Sequence, residues 1–191
     1  MAIAASVGGL NAISRILSDL PANFTASILI VQHLDPKHRS LMAEILRRKT
    51  DLVVKQAEVG DRLKPGVVYI APPNYHLQVD SGGVLSLSQT KLMNFVRPSA
   101  DILFNSVAVS YGSRAIAVVL TGAGKDGGAG IQKIHELGGI AIAQDEGTAE
   151  CFSMPSAAIK TGAINFVLPL NHIALKLISL VMSNNDSSPI G

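Results

Sequence analysis

Apolar residues follow two rhythms along this chain. Continuous runs, Ala2 to Ala5, Ser27 to Gln32, Ile116 to Leu120 and Ile140 to Ala143, predict strands buried on both faces. Between them apolar residues recur every three or four positions, which predicts helices. Leu10, Ile13, Ile16, Leu17 and Leu20 form one such stripe ahead of Pro21. Leu41, Ile45 and Leu46 form a second within Ser40 to Lys49, after a break at Asp35-Pro36, and Ile131, Ile134 and Leu137 form a third. Arg97-Pro98-Ser99 introduces a helix towards Tyr111-Gly112, with Ser99 as N-cap and Asp101 in the first turn. From Leu52 to Gln89 short strands alternate with Pro and Gly turns, which reads as a β-rich insert carrying one hairpin. A loop with Cys151 and Met154-Pro155, a short helix through Ala157 and Ile159, a strand around Asn165 to Leu168 and a helix from Asn171 to about Met182 complete the pattern. The polar tail Ser183 to Gly191 is expected to fray. Strands alternating with helices across short glycine turns predict an α/β fold: a mainly parallel, doubly wound sheet, covered on both faces and interrupted by an antiparallel hairpin.

Composition narrows the functional classes. With 48% apolar and 16% charged residues, the 191-residue chain suits one packed domain and not a disordered one. A net charge of +2 is too small to argue for nucleic acid. No apolar run approaches a membrane span, no basic leader precedes the first strand, and the single cysteine excludes an internal disulfide, so a cytoplasmic setting is expected.

Candidate chemistry collects at strand ends. Ala5-Ser6-Val7-Gly8-Gly9 delivers a hydroxyl from a buried strand onto a tight turn and then a helix N-terminus, a geometry that exposes a nucleophile beside backbone N–H donors. His33 ends the second strand and Asp126 follows the Ile116 to Leu120 strand; in a parallel sheet all three fall at the carboxyl edge, where sites form. A serine needs a base to remove its proton, and an imidazole needs a carboxylate to fix its tautomer. Each residue also has a bland alternative: an N-capping serine, a core histidine, a helix-capping aspartate. Gly122-Ala123-Gly124-Lys125-Asp126-Gly127 also satisfies a dinucleotide-binding pattern with Asp145 beyond the next strand, although Asp126 would put a carboxylate where a pyrophosphate should sit. A Walker A loop fails, because Val119 stands at the required first glycine. His33, Asp35 and His38 lack paired metal-ligand spacing, Cys151 reads as a small buried residue and His76 as structural. Arg47-Arg48-Lys49 reads as a dipole-matched helix end or as a docking site for an acidic partner.

Several motifs together carry a resemblance over nearly the whole chain: Ala5-Ser6-Val7-Gly8-Gly9, Gln32-His33, Tyr69-Ile70-Ala71-Pro72, Arg97-Pro98-Ser99, Leu120 to Gly127, Ala143-Gln144-Asp145-Glu146 and Met154-Pro155. In order and spacing they resemble the catalytic domain of the chemotaxis protein-glutamate methylesterases, the CheB family. The resemblance implies a three-layer α/β domain over residues 1–182. It implies a serine hydrolase acting on glutamate γ-methyl esters of methyl-accepting chemotaxis receptors, with deamidation of receptor glutamines as a second activity. It places the nucleophile on Ser6, the base on His33 and the third member on Asp126, with no cofactor. The family pattern has threonine where this chain has Val7 and methionine where it has Ala123, so oxyanion donors near these two are expected from main-chain N–H groups alone. The receiver domain usual in the family does not appear in this sequence, and the resemblance allows a receiver or methyltransferase domain in a longer parent chain. A module of the same fold that binds receptor or nucleotide without turnover is the alternative.

Overall fold

The computed structural model describes residues 1–33 and 40–182; Asp35, Pro36, His38 and the tail from Ser183 to Gly191 lie outside the described residues. In chain order the elements are β1 (Ala2–Ala5), α1 (Gly9–Asp19), β2 (Ile28–Gln32), α2 (Met42–Arg47), β3 (Val53–Gln56), β4 (Val67–Ile70), β5 (His76–Val79), β6 (Leu85–Ser88), α3 (Ala100–Tyr111), β7 (Ile116–Val119), α4 (Gly128–Glu136), β8 (Ile140–Gln144), α5 (Ser153–Lys160), β9 (Phe166–Leu168) and α6 (Leu170–Met182). Seven strands form one parallel sheet in the order β3-β4-β2-β1-β7-β8-β9, so the first strand lies at the centre. The chain winds outward from β1 to β2 on one side and later to β7 on the other, which makes the carboxyl end of β1 the switch point.

The pleat explains how the small-residue strand β1 serves two layers. Ile3 and Ala5 pack to one side with Ile13, Ile16 and Leu17 of α1, Leu46 of α2 and Ile173 and Leu177 of α6. Ala2 and Ala4 pack to the other with Leu103, Phe104 and Val107 of α3, Ile131 and Ile134 of α4, and Leu77 and Leu85 of the hairpin. Layers of helix, sheet and helix result, as expected.

Local differences have physical reasons. β3 and β4 belong to the main sheet and are not part of an insert; only β5 and β6 form the separate antiparallel hairpin. As an edge strand of the sheet β3 is exposed at both ends, so its sequence VVKQ is half polar and lacks the apolar run of a central strand. Arg47 donates through Nε to the Val54 carbonyl at 2.7 Å, tying α2 to β3. Pro155 lies in the first turn of α5, where a proline needs no N–H partner. Leu137 is partly exposed at the end of α4, and Cys151 is half-buried.

Candidate active site

The carboxyl edge beside β1 is built by strands that stop together. Ala5 pairs with Gln32, and the ladder runs one step further: His33 N–H donates to Ala5 at 3.0 Å and Ser6 N–H to Thr121 at 3.0 Å. Continued past the strand ends, the pleat directs both Ser6 and His33 to the α3 side of the sheet, on neighbouring strands about 4.8 Å apart. Asp126 reaches the same place from the loop between β7 and α4, and its Oδ2 lies 2.9 Å from His33 Nε2. A carboxylate only accepts, so Nε2 carries the imidazole proton and Nδ1 is left as the basic nitrogen. No hydrogen bond joins the Ser6 hydroxyl to His33 among the described residues, so one of the two expected contacts is formed; nucleophile–base contacts without substrate are commonly longer than in the bound state.

Asp126 is 3% exposed yet held as an anion. Burial pushes its pKa up, but hydrogen bonds from His33, from Ser99 Oγ at 2.7 Å and from the Ala100 N–H at 2.6 Å outweigh burial and bring it below the ordinary carboxylate range. The Asp101 N–H adds a longer bond at 3.3 Å. These donors open α3, so Asp126, from a distant loop, caps that helix while Ser99 gives its own hydroxyl to Asp126. The expected N-cap position is right and its hydrogen bonding is reversed. Asp101 beside it has its pKa raised, first by burial and then by the charge of Asp126, against bonds from the Gly130 N–H and Asn94 Nδ2, both at 2.8 Å.

Behind Ser99 sits fully buried His76, whose Nδ1 accepts the Ser99 N–H at 3.2 Å. Nδ1 therefore bears a lone pair and Nε2 donates to the Lys91 carbonyl at 3.1 Å. Burial lowers the His76 pKa below its ordinary value, and the Arg97 charge adds to this, against the Lys91 bond and the Asp126 charge. A depressed pKa means stability that is complete above the unfolded value of about 6.5 and is lost as pH falls towards the folded pKa. We expect the wild-type melting temperature to fall relative to that of His76→Gln, which keeps a neutral acceptor and donor, between pH 7.5 and 5.5. Parallel melting curves across that range would contradict the assignment.

The turn after Ser6 leaves two backbone donors open. Among the described residues the Val7 and Ala123 N–H groups have no acceptor, whereas the carbonyls preceding them are both engaged: Ser6 O accepts Gly9 N–H at 2.9 Å and Gly122 O accepts Met154 N–H at 2.9 Å. In a trans peptide the N–H points opposite to the carbonyl, so both donors face away from those anchors. Thr121 fixes the turn further, donating from Oγ1 to Val7 O at 2.9 Å and accepting Cys151 N–H at 2.8 Å. Gly122 packs on Ser6: a β-carbon there would collide with Met154 Sδ and lie 2.8 Å from Ser6 Cβ and 3.0 Å from Ser6 N. This glycine thus serves close approach to Ser6, and the turn's Asp126 faces α3 and His33. Gly122→Ala is expected to cost roughly 1–3 kcal/mol and to displace Ser6, lowering both the melting temperature and the activity proposed below; unchanged values of both would refute this reading of the contact.

Sequence reasoning gave no role to Gln32, Thr121 or Gln144. The available clue was a polar residue ending a wholly apolar strand: ILIVQ in β2 and IAIAQ in β8. Both glutamines are buried, and Gln144 Oε1 accepts the Thr121 N–H at 2.8 Å.

A serine on a strand-to-helix turn at a doubly wound sheet's switch point, with a histidine paired to a buried aspartate one strand away and open N–H groups beside it, defines a hydrolase-type site. The model of the CheB methylesterase family matches residues 1–177. A Leptospira interrogans protein named "Putative protein-glutamate methylesterase/protein-glutamine glutaminase" is 41% identical over 182 residues, covering 95% of this chain and 94% of that protein. A protein-glutamate methylesterase/protein-glutamine glutaminase of Pyrococcus abyssi is 41% identical over 184 residues, and there the chain spans 50% of the relative's length. The crystal structure of the Thermotoga maritima CheB methylesterase catalytic domain superposes with a TM-score of 0.90 at 42% identity, covering 94% of this chain and 97% of that one. The chain belongs to the CheB methylesterase family, a family of hydrolases. The expected fold and enzyme class are borne out, and nothing in these likenesses supports a non-catalytic or nucleotide-binding module. Among the described residues no helix is long and apolar enough to cross a membrane.

Proposed function

We propose that this chain hydrolyses glutamate γ-methyl esters on methyl-accepting chemotaxis receptors in the cytoplasm, residues 1–182 forming the catalytic domain. Ser6 Oγ attacks the ester carbonyl carbon while His33 Nδ1 takes its proton. Asp126 holds the imidazole through Nε2 and stabilises its cation. The Val7 and Ala123 N–H groups receive the developing oxyanion. Collapse of the tetrahedral intermediate breaks the bond to the methoxy oxygen, which leaves as methanol with the proton from His33. Water, deprotonated by His33, then releases the glutamate carboxylate and Ser6. Acyl transfer of this kind needs no cofactor. The same steps with an amide release ammonia, so a receptor glutamine is a second substrate of the same site.

The observation that carries this reading is the 2.9 Å His33–Asp126 pair held beside Ser6 in strand register. The surroundings support it. Beside His33 a cavity of about 160 Å³ is lined by Leu92, Phe95, Val96 and Pro98, with Arg97 and Asn74, and Phe95 is 95% exposed at its rim. An apolar wall suits an uncharged ester better than the carboxylate product. Arg97 is held inward by Asn74 Oδ1 at 2.6 Å and the Thr90 carbonyl at 2.6 Å, which fixes the segment leading to Ser99. Methanol release from methylated receptor, wild type against Ser6→Ala, is the test.

A further inference from the structure

Gln32 is the only polar residue of β2 and is buried on the α1 side of the sheet. Its side-chain nitrogen donates to two main-chain carbonyls, those of Ser6 at 2.7 Å and His33 at 3.2 Å. Both carbonyls lie just past the last paired residues of β1 and β2, Ala5 and Gln32, where the ladder has run out. The buried Oε1 has no hydrogen-bond partner among the described residues and packs on Gly9, where any β-carbon would collide with it. Stability alone favours an apolar residue here, because an orphaned buried oxygen is destabilising.

Peptide geometry gives this bond a consequence on the other side of the sheet. The Ser6 carbonyl is drawn to the α1 side by Gln32 and by the Gly9 N–H, so the Val7 N–H of the same planar peptide points to the α3 side, where His33 meets Asp126. The Gly9 bond closes the turn locally; the Gln32 bond ties that turn to the strand carrying His33. We infer that Gln32 is a positioning residue for acyl transfer: its amide locks the Ser6–Val7 peptide so that the Val7 N–H faces the oxyanion, and joins the serine turn to the end of the histidine strand. This rests on the catalytic reading proposed above.

The test is steady-state methanol release from methylated receptor by Gln32→Met and Gln32→Leu, both close to glutamine in size and neither able to donate to the two carbonyls. Each is expected to lower kcat about tenfold to a hundredfold while KM stays within about twofold, because a donor that meets the oxyanion acts in the transition state and not on bound ester. A folded variant with wild-type kcat, or with the loss confined to KM, overturns the inference. If Ser6→Ala is inactive while Gln32→Met keeps full kcat, only the role of Gln32 falls; if Ser6→Ala is active, the catalytic reading falls instead. A measurement on the wild type alone stands beside these: phosphonylation of Ser6 is expected to move the Val7 amide proton downfield in the NMR spectrum. A Val7 resonance that does not move overturns the inference whatever the variants do.

Discussion

Asp126→Asn is expected to lower kcat for methanol release by about four orders of magnitude, the scale seen when a triad carboxylate becomes an amide. The reason lies in the proton on His33. Asp126 Oδ2 accepts from Nε2, which leaves Nδ1 free to take the Ser6 proton. An asparagine whose oxygen keeps the Ser99 hydroxyl and the Asp101 N–H puts its NH₂ where Oδ2 now accepts both the Ala100 N–H and His33 Nε2, and so presents a donor to the imidazole. Nε2 must then accept, the ring proton moves to Nδ1, and the base is occupied. The fold should survive at reduced stability, because the amide oxygen still caps α3 through Ser99 and Asp101; losing the charge at that helix end costs about 0.3–2 kcal/mol, and the Ala100 N–H left without its acceptor about 1–3 kcal/mol. The acid limb of stability should change as well. A carboxyl with depressed pKa contributes stability above its unfolded value of about 3.9, and that contribution is lost as pH falls through the folded value. The variant should therefore lose less stability than wild type on acidification below pH 4. Near wild-type kcat in a folded Asp126→Asn would remove Asp126 from the mechanism.

What could be read from the sequence divides along physical lines. The apolar runs that become β1, β2, β7 and β8 are buried on both faces, so period and strand coincide. Ser6, His33 and Asp126 could be assigned to one sheet edge because parallel strands place all their carboxyl ends together. Partnerships set by distant residues were not legible. Ser99 has the sequence of an N-cap, yet its hydroxyl serves Asp126, which arrives from 27 residues further along the chain. The role of Gln32 depends on where two neighbouring strands stop, which one strand's composition does not encode. β3 and β4 read as an insert because an exposed edge strand lacks the apolar run of a central one, and their parallel pairing is a property of the assembled sheet. The glycine turn at Gly122 admitted a phosphate-binding reading until Met154 and Ser6 were found packed against it.

Ser6→Ala carries the largest expected effect. The substitution removes one oxygen from a half-buried side chain, leaves the Ser6 N–H bond to Thr121 in place and should change stability by no more than about 0.5 kcal/mol. The hydroxyls of Thr121 and Ser99 are committed elsewhere: Thr121 Oγ1 is engaged by Val7 O and Cys151 N–H, and Ser99 Oγ by Asp126. The acyl-enzyme cannot form, and kcat should fall roughly a million-fold, as for other serine nucleophiles that act as one unit with their base. The most direct measurement is methanol release from methylated chemotaxis receptor by wild type and Ser6→Ala at equal concentration and matched fold content. Turnover by the wild type and none above background by the variant is the expected result; methanol release by Ser6→Ala at the wild-type rate would contradict a nucleophilic Ser6.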